Sequence, residues 1–332
     1  EPLMFLHNLD TTIKEPFASN PAVLDAVEKN HKKLQITMTK LYPGNLVLSL
    51  SSGIMYHRLV DRITALNDVP REPLVPRRLG KNMCVPFGKI LRGKVVPNTV
   101  TKTLHTDKVY EPDLNSFTIE PFPYYSPLKS QIETIKSFDR PVILVDDLVH
   151  TANRLQVLVP QLREDGIPIK KVVVGVLSGY GRDLMQCLKV PVESIYSMPN
   201  LRQWFVESTL YPFIGGDTVR REEMKVAGLQ PSINMILPYA TPRLSGCSRE
   251  ALVEFSACCI ENSRDLFQVL EAEYRKMYAK NLTLSRLSEA VILPLCPDKG
   301  SCMEYDENLA ASVYLENDLE TLWRMKEFMI KG

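Results

Sequence analysis

Histidine is scarce in this sequence, five residues in 332, and its seven cysteines are scattered with no C-x-x-C pair. That argues against a structural zinc module and against an exported disulfide framework, so reduced thiols in a cytoplasmic protein are the expectation. No apolar run approaches the roughly 18 residues of a membrane span, and the start Glu1-Pro-Leu-Met-Phe5 lacks the basic-then-apolar order of a secretion leader. Charge of one sign is also missing: Lys plus Arg number 40 against 39 Asp plus Glu. We therefore expect no nucleic-acid and no membrane partner, and any anion binding has to come from local clusters. Internal repeats and low-complexity tracts are absent. A start at Glu1 rather than Met leads us to expect a piece of a longer protein.

What is present is ordinary globular composition, 45% hydrophobic and 24% charged, enough for one large or two modest domains. Residues 1–19 show no clear period. Asn20 to Leu34 has a cap, a Pro in the first turn and apolar spacing near 3.6, which predicts a helix. Leu46–Leu50 is a short apolar run of buried-strand type, Ser51-Ser52-Gly53 turns, and Ile54–Leu66 predicts a second helix. Met83–Phe87 and Phe117–Ile119 read as short strands around a long polar stretch. From there strand and helix alternate: helix 128–138, strand 141–145, helix 151–165, strand 171–177, helix 182–188, strand 192–196. That alternation predicts a parallel sheet flanked by helices. After about residue 240 only helices are expected, at 248–259, 263–280 and 317–329. The expected division is an N-terminal helical extension over 1–39, an α/β domain over 40–239 and a helical C-terminal region over 240–332.

The segment that carries chemistry is Val142-Ile-Leu-Val-Asp-Asp-Leu-Val-His-Thr151, followed by Ala152-Asn-Arg154. An apolar strand ends in two acids, then a short loop leads into a helix start. Ligands of open α/β sheets bind outside the carboxyl ends of strands, and a helix N-terminus offers free amides to an anion. Two carboxylates beside such a loop suit the hydroxyls of a sugar whose phosphate sits in the loop. Taken without context, the same acids would be a solvated turn capping the next helix.

This segment resembles the phosphoribosyl-pyrophosphate (PRPP) motif of the type I phosphoribosyltransferases: four apolar residues, two acids, then a phosphate loop containing Thr and Gly. The resemblance implies that Asp146 and Asp147 bind ribose and, through the ligand, Mg²⁺. It makes His150, Thr151, Ala152, Asn153 and Arg154 the 5′-phosphate loop. Ser51, Ser52 and Gly53 resemble the family's pyrophosphate loop. The basic stretch with Lys89, Arg92, Lys102 and His105 lies where the family carries a flexible loop over the pyrophosphate. Trp204 and Phe205 lie where it places acceptor-recognition elements. Two positions depart from the pattern: the family usually has Gly where this chain has Ala152, and a hydroxyl residue where it has Arg154.

Carried over, the resemblance implies a glycosyltransferase of the phosphoribosyl class, which moves ribose 5-phosphate from PRPP to an unidentified acceptor with Mg²⁺ and releases pyrophosphate. PRPP or a nucleotide monophosphate would be the ligand, and a homodimer is compatible with it. A second reading keeps the fold and the binding but not the reaction, a nucleotide- or PRPP-sensing domain of a larger protein. The acid pair and the basic stretch favour the enzyme; Ala152 and Arg154 favour the sensor.

Overall fold

The computed structural model describes residues 1–222, 226, 228–300 and 304–331, so Cys302 lies outside the described residues. In chain order its elements are β1 (Leu3–His7), α1 (Pro21–Thr39), β2 (Val47–Ser51), α2 (Ser52–Leu66), β3 (Met83–Pro86), β4 (Val100–Thr101), β5 (Thr106–Tyr110) and β6 (Phe117–Pro121). They continue with α3 (Leu128–Lys136), β7 (Val142–Val149), α4 (Asn153–Glu164), β8 (Ile169–Ser178), α5 (Gly179–Cys187), β9 (Val192–Met198) and β10 (Gln203–Val206). Last come β11 (Asp217–Val219), β12 (Gln230–Ile233), α6 (Arg249–Tyr278), β13 (Leu295–Pro297) and α7 (Ala311–Lys331).

These elements form two compact units that the chain visits more than once. One comprises residues 1–2, 50–108 and 118–202; the other comprises 3–49, 109–117 and 203–332. This differs from the contiguous boundaries expected at 39/40 and 239/240. The physical reason is a strand that shows no period in the sequence. Leu3–Leu6 form β1, which pairs in parallel with β10 in the register Leu3↔Gln203 to Leu6↔Val206. Residues 1–39 are thus not a purely helical extension.

The first unit is built on a five-stranded, wholly parallel sheet in the order β4-β3-β7-β8-β9. Val142–Val145 and Val172–Val174 are fully buried, as strands covered on both faces must be. On one face Val142, Leu144, Val172 and Val174 share a cluster with Ile132 and Ile135 of α3 and Leu155, Leu158 and Leu162 of α4. Gly175 has the opposite parity, and a Cβ there would run into Met55 of α2. The expected parallel sheet flanked by helices is therefore present. Its central strand is longer than the sequence suggests: β7 continues past Val145 through the acids to Val149.

The second unit holds β1, β10, β11, β12 and β13 together with the long helices α1, α6 and α7; the remaining sheets of the chain run in the orders β10-β1-β2 and β13-β12-β11-β5-β6. The chain after residue 240 is mainly helical but also contributes β13, so that region is not all helix. The two helices expected at 248–259 and 263–280 are one 30-residue helix, α6. Asn262 does not break it, because its amide donates to the Asn30 carbonyl of α1 at 2.9 Å and the Asn30 amide returns a bond to the Asn262 carbonyl at 2.8 Å. α1 starts on Asn20, whose side chain accepts from the amides of Ala22 and Val23, with Pro21 in the first turn. No helix of the described residues is long and apolar enough to cross a membrane.

Candidate functional site

In the first unit the strand, the acids and the helix start come together as the local sequence order dictates. Asp146 and Asp147 are consecutive on β7, close enough for their charges to act on one another. Each also accepts from the next amide: Asp147 N–H to Asp146 Oδ1 at 2.8 Å, and Leu148 N–H to Asp147 Oδ1 at 2.9 Å. Asp146 is buried, and burial together with the neighbouring Asp147 charge pushes its carboxyl well above the usual range, while Arg154 pulls it back down. A protonated or shared-proton acid pair can both donate to and accept from vicinal hydroxyls.

The loop that follows turns on Ala152, which adopts a left-handed conformation (φ 52°, ψ 25°) immediately before α4, with no side-chain cap on that helix. For a residue with a Cβ this geometry costs about 1–2 kcal/mol. It is the position where glycine would be unstrained. Thr151 Oγ accepts from the Asn153 amide group at 2.9 Å, closing the loop on itself. His150 Nδ1 meets Ser178 Oγ at 2.7 Å and its ring lies edge-on to Tyr180, and burial lowers its pKa. The first-turn amides of α4 have no partners within the helix.

Arg92 reaches the same place from the β3–β4 connection. Its pKa is lowered by burial and by the Arg154 charge, and raised in part by Asp107, Tyr125 and Asp146. Its Nε is buried without a hydrogen-bond partner, and its guanidinium lies 4.9 Å from the Phe122 ring centroid. Two cations within electrostatic reach, one with an unsatisfied buried donor, make a site short of an anion.

The other expected residues divide. Ser51, Ser52 and Gly53 stand at the β2–α2 junction; Ser51 precedes the helix without a side-chain cap, and Ser52 is buried. Lys89 follows Gly88, which touches the Asp146 carboxyl closely enough that a Cβ there would overlap it. Lys102 and His105 lie in the extended segment that follows β4. Lys102 donates its amide to the Cys84 carbonyl and Leu104 to the Pro86 carbonyl, so this segment extends the parallel ladder beyond β4. His105 is pinned by Gln131, which accepts its amide at 2.7 Å, and stacks on Tyr125 at 3.8 Å between ring centroids. Trp204 and Phe205 lie on β10 in the other unit, where the Phe205 ring packs against Phe255 in the core. The sequence reading missed Gly88, Gln131 and the His105–Tyr125 stack. Gly88, next to Lys89, carries a local signal; Gln131 and the stack are fixed by contacts distant in sequence.

No family model and no curated protein matches the chain. Among solved structures it is similar to a purine phosphoribosyltransferase from Pyrococcus horikoshii Ot3 at 14% identity, over 47% of this chain and 87% of that one, with a TM-score of 0.28. That likeness is loose, and the functional reading rests on the geometry of the site.

Proposed function

We infer that the first unit binds a ribose 5-phosphate ligand, PRPP or a nucleotide monophosphate, at the β7–α4 junction and acts as a Mg²⁺-dependent phosphoribosyltransferase. The observation that carries this is the demand for an anion beside an acid pair: Arg92, with its partnerless buried Nε, and Arg154 flank Asp146 at the start of α4. The phosphate would take the Thr151–Arg154 amides and the two guanidiniums. Asp146 and Asp147 would hold the ribose hydroxyls. Their oxygen-only donor set also suits Mg²⁺ held through those hydroxyls, and the ion would offset charge on departing pyrophosphate. Ser51, Ser52 and Gly53 would receive the pyrophosphate at the N-terminus of α2. The transition state of such a transfer resembles an oxocarbenium ion, so the protein's contribution is to position the groups and to stabilise separating charge.

The second reading, a sensor that binds without transfer, is favoured by one observation: the Ala152 methyl occupies the left-handed turn where a phosphate would approach the backbone. Calorimetry with PRPP and Mg²⁺, followed by a pyrophosphate-release assay across purine, pyrimidine and non-nucleobase acceptors, separates the two. Binding with release supports the transferase, binding without release supports the sensor, and no binding of PRPP or of ribose 5-phosphate overturns both.

A further inference from the structure

Two of the five histidines converge in the second unit, far in sequence from the acid pair. β1 and β10 run in parallel with Leu6 beside Val206, so the next residues in step, His7 and Glu207, meet at the strand ends. His31 of α1 comes over the same spot. The Nδ1 atoms of both rings address one oxygen, Glu207 Oε2: His7 in direct contact and His31 at 2.9 Å. The ring centroids of the two imidazoles are 4.1 Å apart, and the His31 ring is also stacked on Phe5. One ligand atom from each residue lies within 4.8 Å of the other two.

The surroundings hold these three groups in place. His31 Nε2 meets Ser49 Oγ at 3.0 Å, which leaves Nδ1 directed at the cluster. Glu207 Oε1 is 3.5 Å from the hydroxyl of the fully buried Tyr211. Beside them, Asn8 and Ser208 bond reciprocally, amide group to hydroxyl at 3.0 Å and backbone N–H to side-chain oxygen at 2.9 Å, locking the segments that carry His7 and Glu207. Glu207 is fully buried, while the His7 and His31 side chains keep 25% and 15% exposure, so solvent reaches the cluster from the imidazole side.

We propose that His7, His31 and Glu207 form a site for a divalent transition-metal ion of the zinc class, bound by two imidazole Nδ1 atoms and one carboxylate oxygen with a remaining position for water. Two nitrogens and one oxygen suit Zn²⁺, Co²⁺ or Ni²⁺ and do not suit Mg²⁺ or Ca²⁺, which take oxygen donors. Ser49 on His31 and Tyr211 on Glu207 are the outer partners that fix ring orientation and carboxylate geometry in bound sites. This site is distinct in residues and metal preference from the Mg²⁺ expected with PRPP.

The test uses the whole chain stripped with a chelator, titrated with Zn²⁺ by calorimetry and with Co²⁺ by visible absorption, without PRPP. The expected result is one equivalent of Zn²⁺ competing with Co²⁺, whose spectrum carries the intense bands of low coordination number. Ser49→Ala, at an exposed position, and Tyr211→Phe, which keeps its volume, should weaken binding about 10–100-fold. His7→Ala and His31→Ala should weaken it by at least as much. Failure of the stripped wild type to take up Zn²⁺ overturns the proposal, as does uptake that persists unchanged in a folded His7→Ala/His31→Ala double variant. Should either histidine variant fail to fold, the wild-type titration and Ser49→Ala still decide.

Discussion

Gly88 and Asp146 share a boundary with no room for a side chain: a Cβ at residue 88 would overlap the Asp146 carboxyl. Gly88→Ala therefore has to displace either the acid or the β3 loop. The expected cost in stability is about 1–3 kcal/mol, as for other overpacking changes. Ribose 5-phosphate binding should fall by a further, separable amount. Thermal melting and calorimetry on the same variant measure the two; full affinity in a folded Gly88→Ala protein would detach Asp146 from the ligand.

Asp146 should make the free protein less stable as pH rises. Its folded pKa lies above the usual carboxylate value, so between that usual value and the raised one the native state binds more protons than the unfolded chain. Stability then declines with rising pH across that window. Asp146→Asn removes the ionisation, and we expect it to melt higher than wild type at pH 7–8, to show no such advantage near pH 4, and to bind ligand more weakly. A melting advantage independent of pH would contradict the assignment.

Ala152→Gly exchanges a strained turn for a relaxed one. Relief of about 1–2 kcal/mol is offset by the lost methyl packing and the greater entropy of the unfolded chain, so net stability should change by about 1 kcal/mol or less. Affinity for PRPP should rise, because the backbone can approach a phosphate more closely. An affinity that drops would mean the methyl belongs to the bound state.

Arg154→Thr restores the hydroxyl typical of the resembling family. If Arg154 supplies a charge-assisted hydrogen bond to phosphate, its loss costs about 1.5 kcal/mol, close to tenfold in Kd. Tighter binding by the variant would instead mark the natural loop as degraded.

Glu193 gives a stability test away from the site. It accepts from Arg62, at 3.0 Å from one guanidinium nitrogen, and from Lys171 at 3.1 Å. The Arg62 bond is the largest of the influences that hold its pKa below the usual value. A depressed folded pKa means stabilisation present above the unfolded pKa and lost as pH falls through the folded one. Wild type should therefore lose more melting temperature between pH 6 and pH 3 than Glu193→Gln does.

The first unit was legible where its structure is local. The run Val142–Val145, the acid pair and the α4 start follow one another in the chain, and so do the alternating strands and helices that build the parallel sheet. The misreadings lie where distant partners decide. Leu3–Leu6 is too short to show a period and is a strand because it lies between β2 and the distant Gln203–Val206. The helices expected at 248–259 and 263–280 are one, and Asn262 in the gap between them has its amide committed to Asn30, 232 residues away. Within the site, the acids were visible, whereas the approach of Arg92 and the Gly88 contact depend on how the β3 loop folds back on β7. His7, His31 and Glu207 belong to three segments, and no spacing rule links them.

The pairing of β1 with β10 also sets a timetable for synthesis. Leu3–Leu6 leave the ribosome about 200 residues before their partner, a wait of roughly 10–40 s at typical elongation rates. Through that interval the apolar strand Leu-Met-Phe-Leu has only β2 to pair with, and its other edge stays open. A chain stalled at Arg202 should stay open to proteolysis at Met4–Phe5 and should draw on chaperones that hold extended apolar segments, whereas release of the finished chain should close that window in a single late step.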